Sequence, residues 1–325
     1  MIGCGTNTFT DPDDYRRNVQ GLNVSLVLTG SDTFRSDVTW VQLNHLRLVR
    51  ISESASRIAF VSLVPESVFV SFPLHNDPHQ VWNGVRMRRG EVVLHGWAEH
   101  FHQLTLGCAR WGVVSVAPAQ LRRFSGSLTG RDLVPPKTDR FLQMPSNIAG
   151  RFLRLHTQAC DLVRSRPDLM AHREVARALE QDLIHALVDV LAVGEPHGSS
   201  ASTRQRHAAI MARFEGVLAT PDGPQLSTSA LCAAIAVPER TLRMCCTEFV
   251  GRSPVSYARL RRLNLVRSAL MRSDPSTASI ATIAKAYGFS EAGRFAAAYR
   301  SVFGEAPSVT LRRSIVDSSR SIDSA

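Results

Sequence analysis

Arg240 and Arg243 lie three residues apart in "PERTLRMCCTEF", and Gly293, Arg294, Ala296, Ala297 and Arg300 stand close together in "AGRFAAAYRSVFG". Arginine carries a fork of donors that fits guanine O6 and N7, so arginines at helical spacing can read base edges in a major groove. In the second stretch Phe295, Tyr299, Val302 and Phe303 recur at intervals of three and four, which marks one apolar helix face. The opposite face is nearly bare. Gly293 costs a helix about 1 kcal/mol relative to alanine. A groove about 12 Å wide must admit a helix about 10 to 12 Å across. Gly293, Ala296 and Ala297 would let the backbone approach the bases, with Arg294 reaching and Arg300 pointing toward a phosphate. The alternative is that the small residues pack against a neighbouring helix.

A second constellation concerns metals. His75, His79, His95, His100 and His102 fall within 30 residues, and "HFHQ" has the H-x-H spacing of metal-binding cupin barrels. Such a site wants a carboxylate after the pair, and none lies in "QLTLGCAR". We therefore expect hydrogen-bonded or exposed histidines, with no metal and no cofactor. No G-x-S-x-G, P-loop or dinucleotide fingerprint is present, so no catalytic residues are assigned. The six cysteines are scattered, with neither a C-x-x-C pair nor a disulfide-like spacing, and read as small buried hydrophobes of a reducing cytoplasm.

The elements that would position these residues follow from composition and period. A chain of 325 residues is long enough for two domains with separate cores. No apolar run approaches the roughly 20 residues that span a bilayer, and "MIGCGTNTFTDPDDYRR" turns polar too soon for a signal peptide. The expected location is the cytoplasm, with no membrane contact. Of the net +10, residues 203–313 hold +9, from 16 Lys/Arg against 7 Asp/Glu. A localised basic excess is the electrostatic footprint of a nucleic-acid-binding module, although an arginine-rich solvated surface gives the same sum.

From Gly21 to Pro118 the pattern is β-like: "HLRLVRI", "RIAFVSLV", "SVFVSFPL", "GEVVLHG" and "WGVVSVAP" are short apolar runs between turn residues. Such runs suggest a β-sandwich or small barrel, ended by "RDLVPPKTDRFLQMPSN". Helical periods take over in 146–165 and 168–193, broken at Pro167. Val175, Leu179, Leu183, Leu187, Val190 and Leu191 form a stripe there that is either core or a dimer seam. "GEPHGSSASTRQR" then reads as a linker.

The last third is helical. Ser227 is placed to cap a short helix ending near Ile235, Ala236 and Val237 form a turn, and Pro238 opens a second helix. The grammar repeats in "SIATIAKAYGFSEAGRFAAAYRSVFG", with a helix through Ile280, Ile283 and Ala284, a turn at Gly288 and a helix from Ser290. Between the two units "SPVSYARLRRLNLVRSALMRS" predicts a helix of about 20 residues, roughly 30 Å long, close to the ~34 Å between successive major-groove faces on one side of B-DNA.

On "RTL", "GRSPVSYARLRRLNLVRSAL", "IAKAYGF" and "FGEAPSVTLR" the segment 203–313 resembles the double helix-turn-helix domain of AraC/XylS-type regulators. "RLNLVR" and the ending "GRF...Y...FGEAPSVTL" look most like the ethanolamine-utilisation regulator subgroup. The resemblance implies an α+β protein of two domains: an N-terminal cupin-like β-barrel or sandwich with a helical dimerisation segment, and a C-terminal all-α double helix-turn-helix. The corresponding boundaries are 1–145 for the effector-sensing domain, 146–194 for the dimerisation segment, 195–206 for a flexible linker, 207–313 for DNA binding and 314–325 for a tail.

The resemblance places Arg240 and Arg243 at base-contact positions, and Met244, Thr247, Gly293, Arg294, Ala297 and Arg300 are expected to face DNA with them; Glu239 would either accept from cytosine N4 or merely favour the helix N-terminus. Arg259, Arg261, Arg262 and Arg267 on the joining helix have phosphates or acidic neighbours open to them, which would add affinity without sequence information, and Arg259 and Arg262 are counted with the DNA-binding residues. Two departures stand out: Cys246 replaces a core phenylalanine, and Met244 stands where a polar or basic reader is usual. The implied partners are double-stranded promoter DNA, an unknown small-molecule effector, RNA polymerase and a second copy of the chain, in a transcription activator that is not an enzyme. The reading from a different class is a cupin-like metalloenzyme fused to a DNA-binding tail.

Overall fold

The structure is a computed structural model, and it describes residues 3–19, 22–63, 66–75, 80–96, 100–197, 201–220 and 227–313. His79, part of the expected linker and the expected tail 314–325 lie outside the described residues. The apolar runs of the first half become strands because alternate residues meet a core on each side. β1 (Gly3–Phe9), β3 (Ser36–Gln42), β4 (Leu46–Glu53), β6 (Val68–Pro73), β9 (Glu91–Leu94), β11 (Ala109–Val116), β12 (Arg140–Gln143) and β13 (Glu195–Pro196) form one sheet. Its order is β1-β3-β4-β11-β6-β9-β12-β13. A second sheet, ordered β2-β5-β10-β7-β8, contains β2 (Leu22–Leu28), β5 (Arg57–Leu63), β7 (Gln80–Trp82), β8 (Val85–Arg86) and β10 (His100–Thr105). The two sheets pack face to face and remain open at their edges, so the expected barrel-or-sandwich resolves to a sandwich without closure.

Two elements escaped the apolar pattern. β1 is polar and glycine-bearing, yet it pairs with β3 from Gly3↔Gln42 to Phe9↔Ser36. α2 (Pro118–Thr129) lies between the last apolar run and the Pro-bearing segment, with Pro118 at its first turn and Gly130 closing it at φ 69°. A short α1 (Pro12–Asn18) is capped by Asp11, whose side chain accepts from the Asp13 and Asp14 amides.

The inner core joins Ile51, Val61, Trp82, Val93, Phe101, Trp111 and Phe141 between the sheets. The outer face of the larger sheet carries Val41, Leu48, Val70, Phe72 and Val114, covered by α3 (Ser146–Ser165), α4 (Pro167–Met170) and α5 (Arg173–Val193). Leu183, Leu187, Val190 and Leu191 are buried in this core, Leu179 packs against it and Val175 remains exposed. The helical stripe is thus mostly intramolecular core. Gly112 makes that packing possible, since a Cβ there would meet Phe72 at 2.5 Å and His156 at 2.8 Å.

Helix α6 (Ala201–Ala219) takes up the second half of the expected linker. It packs with α7 (Thr228–Ile235), α8 (Glu239–Val250) and the first part of α9 (Pro254–Met271) around Met211, Phe214, Leu242, Phe249 and Tyr257. The far end of α9 packs with α10 (Ile280–Ala286) and α11 (Ala292–Phe303) around Val266, Leu270, Phe295 and Tyr299. Val27, Ile58 and Leu104 of the smaller sheet enter the first of these cores, so the two halves share buried apolar surface.

Candidate nucleic-acid interface

Local chemistry sets both helical units. Ser227 accepts from the Ala230 amide at 3.2 Å and starts α7. Ala236 ends it in the left-handed region at φ 53°, ψ 50°. Pro238 caps α8 from an extended conformation, one position earlier in the helix grammar than expected. Ser253 caps α9 through the Ser256 amide at 3.3 Å. That helix has 18 residues, which at the usual rise is about 27 Å. Ser279 caps α10, Gly288 turns at φ 83°, and α11 begins behind Glu291 rather than at Ser290.

Glu239, Arg240, Arg243, Met244 and Thr247 all lie exposed on α8, and Gly293, Arg294, Ala297 and Arg300 lie exposed on α11. The opposite face of α8 buries Leu242, Cys245, Cys246, Phe249 and Val250. Cys246 fills its core position beside Met211, with the sulfurs 3.9 Å apart. A Cβ at Gly293 would meet nothing within 4 Å, so the bare face is open there. Ala296 departs from the expectation, because it lines an apolar groove with Phe289, Phe295 and Pro307.

The two helices share an arrangement at their N-termini. Arg243 Nε and Nη2 donate to Glu239 Oε1 at 2.7 and 2.6 Å, and Arg294 Nη1 donates to Glu291 Oε1 at 3.0 Å. Exposed pairs of this kind contribute about 0 to 1 kcal/mol, so the guanidinium groups are aligned yet readily released to another acceptor. The Thr247 hydroxyl donates to the Arg243 carbonyl at 2.9 Å.

The arginines of α9 divide. Arg259 is exposed. Arg262 is half-buried over the Gly288 turn, where a Cβ on the glycine would lie 2.6 Å from Arg262 Nη1, and burial lowers its pKa. Arg261 donates to Glu215 Oε2 at 2.6 Å, and Arg267 lies 4.0 Å from Asp11, so both have taken acidic neighbours.

Glu215 was invisible in sequence and stands at the junction of the two halves. His102 Nε2 lies 2.9 Å from its Oε1, Tyr257 donates to the same oxygen at 2.5 Å, and all three side chains are buried. Burial would raise the Glu215 carboxyl, but His102, Arg261 and Tyr257 together hold it below the ordinary glutamate range. Asn264, in the middle of "RLNLVR", grips the backbone of Leu28 like a paired strand: its Oδ1 accepts from the amide at 2.8 Å and its Nδ2 donates to the carbonyl at 3.1 Å.

The other described histidines of the 75–102 stretch are also engaged. His95 lies 2.9 Å from the Ser71 hydroxyl and 3.3 Å from Asp139, His100 lies 2.8 Å from Ser62, and His75 accepts from Arg110. Among the described residues no group of three His, Cys, Asp or Glu side chains is arranged to hold a metal ion. No helix among them is long and apolar enough to cross a membrane.

A family model of helix-turn-helix domains matches residues 231–313, from the middle of α7 to the end of the described chain. The same region is 38% identical, over 88 residues, to the XylDLEGF operon transcriptional activator 1 of Pseudomonas putida. The C-terminal third is an AraC/XylS-type helix-turn-helix domain. The RhaS transcriptional activator of Pectobacterium carotovorum is 31% identical to this chain over 134 residues. These matches cover 27% of the P. putida activator and 46% of RhaS, and 27% and 41% of this chain, so the likeness belongs to the AraC/XylS-type domain. A solved probable AraC family regulator from Rhodopseudomonas palustris is 32% identical, covering 33% of this chain and 96% of that one, with a TM-score of 0.29.

Inside the sandwich a cavity of about 580 Å³ opens between the sheets, lined by Trp40, Arg47, Val49, Phe69 and Val113 among others. The Arg47 guanidinium lies 5.8 Å from the Trp40 ring centre, and burial lowers its pKa.

Proposed function

We propose that this protein is a sequence-specific DNA-binding transcription regulator of the activator kind whose N-terminal sandwich senses a small molecule. The observation that carries the reading is the pair of helices α8 and α11, each with an open, arginine-bearing outer face, spaced by α9. Arg240, Arg243 and Arg294 are the direct readers in this proposal, Arg259 and Arg300 contact phosphates, and Gly293 and Ala297 give the second helix its clearance. Arg262, half-buried, has a weaker claim on phosphate than Arg259.

The cavity beside Trp40 and Arg47 is the proposed effector site, and its lining suits a ligand with an apolar body and one acidic group. Promoter DNA, RNA polymerase and a second copy of the chain are the proposed partners. Catalysis has no role in this reading. The narrower assignment to ethanolamine-utilisation regulators rests on "RLNLVR" and the "FGEAPSVTL" ending.

Footprinting of the purified protein on the promoters nearest its own coding sequence tests the proposal. Two protected half-sites about one helical turn apart are expected. Uniform, sequence-independent binding would overturn it.

A further inference from the structure

The outer face of the larger sheet changes character along its strands. Where α3 and α5 cover it, Val41, Leu48 and Val114 are buried, but toward the opposite strand ends the same face presents Thr39, Arg50, Ser52 and Arg110. Register holds these together: Arg50 pairs with Thr39 across β4 and β3, and Arg110 pairs with Ser52 across β11 and β4. The C-terminal part of α3 adds Asp161 and Arg164 as the far wall. The result is a cleft of about 860 Å³, separated from the effector cavity by the thickness of the sheet.

Five arginines line this cleft, Arg35, Arg50, Arg89, Arg110 and Arg164, against two carboxylates, Asp37 and Asp161. Arg50 donates from Nη1 to Asp161 at 2.6 Å, while its Nη2 is enclosed and has no acceptor. Arg35 is turned onto Asp37 through two hydrogen bonds of 3.2 and 2.9 Å. Burial pushes the Asp37 carboxyl up, but the Thr8 hydroxyl, Arg35 and Arg164 outweigh it and hold the group below its ordinary value. Two carboxylates do not balance five guanidinium groups, so an anion entering the cleft would relieve their mutual repulsion. Arginine forks with hydroxyls between them match the several oxygens of a phosphate group.

We propose that this cleft binds a small phosphorylated molecule carrying at least two negative charges. The site is independent of the DNA-reading proposal, since none of its residues lies in the helix-turn-helix domain and its arginines are not among those lining the effector cavity.

Inorganic pyrophosphate is a suitable probe, titrated into the full-length protein at constant ionic strength and followed by hydrogen exchange. Saturable protection of the β4 and α3 peptides is expected. Arg110→Gln combined with Arg164→Gln, both exposed positions, should weaken that response at least tenfold while leaving DNA affinity without pyrophosphate unchanged. Arg243→Gln, on the DNA-facing surface, should not alter it. Protection confined to residues 227–313, or an undiminished β4 and α3 response in the double variant, would overturn the proposal.

Discussion

His102 of the β sandwich and Glu215 of α6 meet at 2.9 Å with both side chains buried, 113 residues apart in sequence. The H-x-H spacing of His100 and His102 does put both rings on one strand face, over Phe60 at 5.4 and 4.8 Å. The carboxylate missing from the local sequence is supplied by the other half of the molecule, and Arg261 pairs with it at 2.6 Å. Removing Glu215 would leave Arg261 and His102 buried without their acceptor. Breaking such a buried pair from one side costs about 3 to 5 kcal/mol, so Glu215→Ala should lower unfolding free energy by that order in a denaturant titration. A change near zero would show that the contact does not hold the halves together.

Acidification should weaken the fold in two windows. Burial lowers His156 from 6.5 to about 4, and its Nε2 is held 3.2 Å from the Val49 carbonyl. Its folded value lies below its unfolded one, so the unfolded chain takes up the proton first. Stability is intact above pH 6.5 and falls as pH drops toward about 4, by about 3 kcal/mol for this group. Glu215 has a lowered carboxyl, so its contribution is present above 4.5 and is lost as pH falls below that value. Replacing His156 with glutamine should flatten the upper window alone, measured as unfolding free energy from pH 8 to pH 4. An unchanged slope would exclude His156 as its source.

Arg243 and Arg259 should separate reading from anchoring. Arg243→Ala is expected to cost about 1 to 3 kcal/mol at the correct site and to relax preference at one base pair. Arg259→Ala should weaken all sequences equally and flatten the salt dependence by about one unit of slope. Binding titrations on specific and scrambled duplexes at several salt concentrations distinguish the two. The assignments fail if the variants behave alike.

Gly293→Leu should abolish protection of one half-site while circular dichroism stays unchanged, since nothing within 4 Å would meet a Cβ there. Full protection of both half-sites would remove the clearance argument for α11.

Ala236 offers a gain. It holds the left-handed turn of the first unit at φ 53° without being glycine. That conformation costs an L-residue roughly 1 to 2 kcal/mol, part of which glycine gives back through its looser unfolded chain. Ala236→Gly should therefore stabilise by about 0.5 kcal/mol in denaturant titrations. A loss of stability would mean the turn is not strained.

Much of the reader domain was legible because its signals are local. Ser227 and Ser279 cap helices within three residues of themselves, and Gly288 turns where its missing side chain permits. The outward arginines follow from helical period once the ends are known. The first half was less legible. β1 is held by pairing with β3 and carries little apolar signal of its own. Arg261 and Arg267 were ambiguous between phosphate and carboxylate because Glu215 and Asp11 approach only after the halves dock. The arginine cleft assembles from five separate strands and helices, and no window along the chain contains it.

The two reader helices are not equivalent mechanical parts. The β7–β8 turn touches α8 so closely that a Cβ on Gly84 would lie 2.6 Å from Glu248, and His102 abuts Phe249 edge to face. α11 meets the sandwich region at its trailing end, through Phe303 and the Gly304 contact with Ser31. The joining helix α9 adds its own ties to the β domain, through Asn264 on the Leu28 backbone and Arg267 beside Asp11, so α8 meets the sandwich along its flank and α11 meets it at its end and through α9. Under the proposed function, a ligand-driven shift of the sandwich would press on the flank of α8 and pull on the C-terminal end of α11.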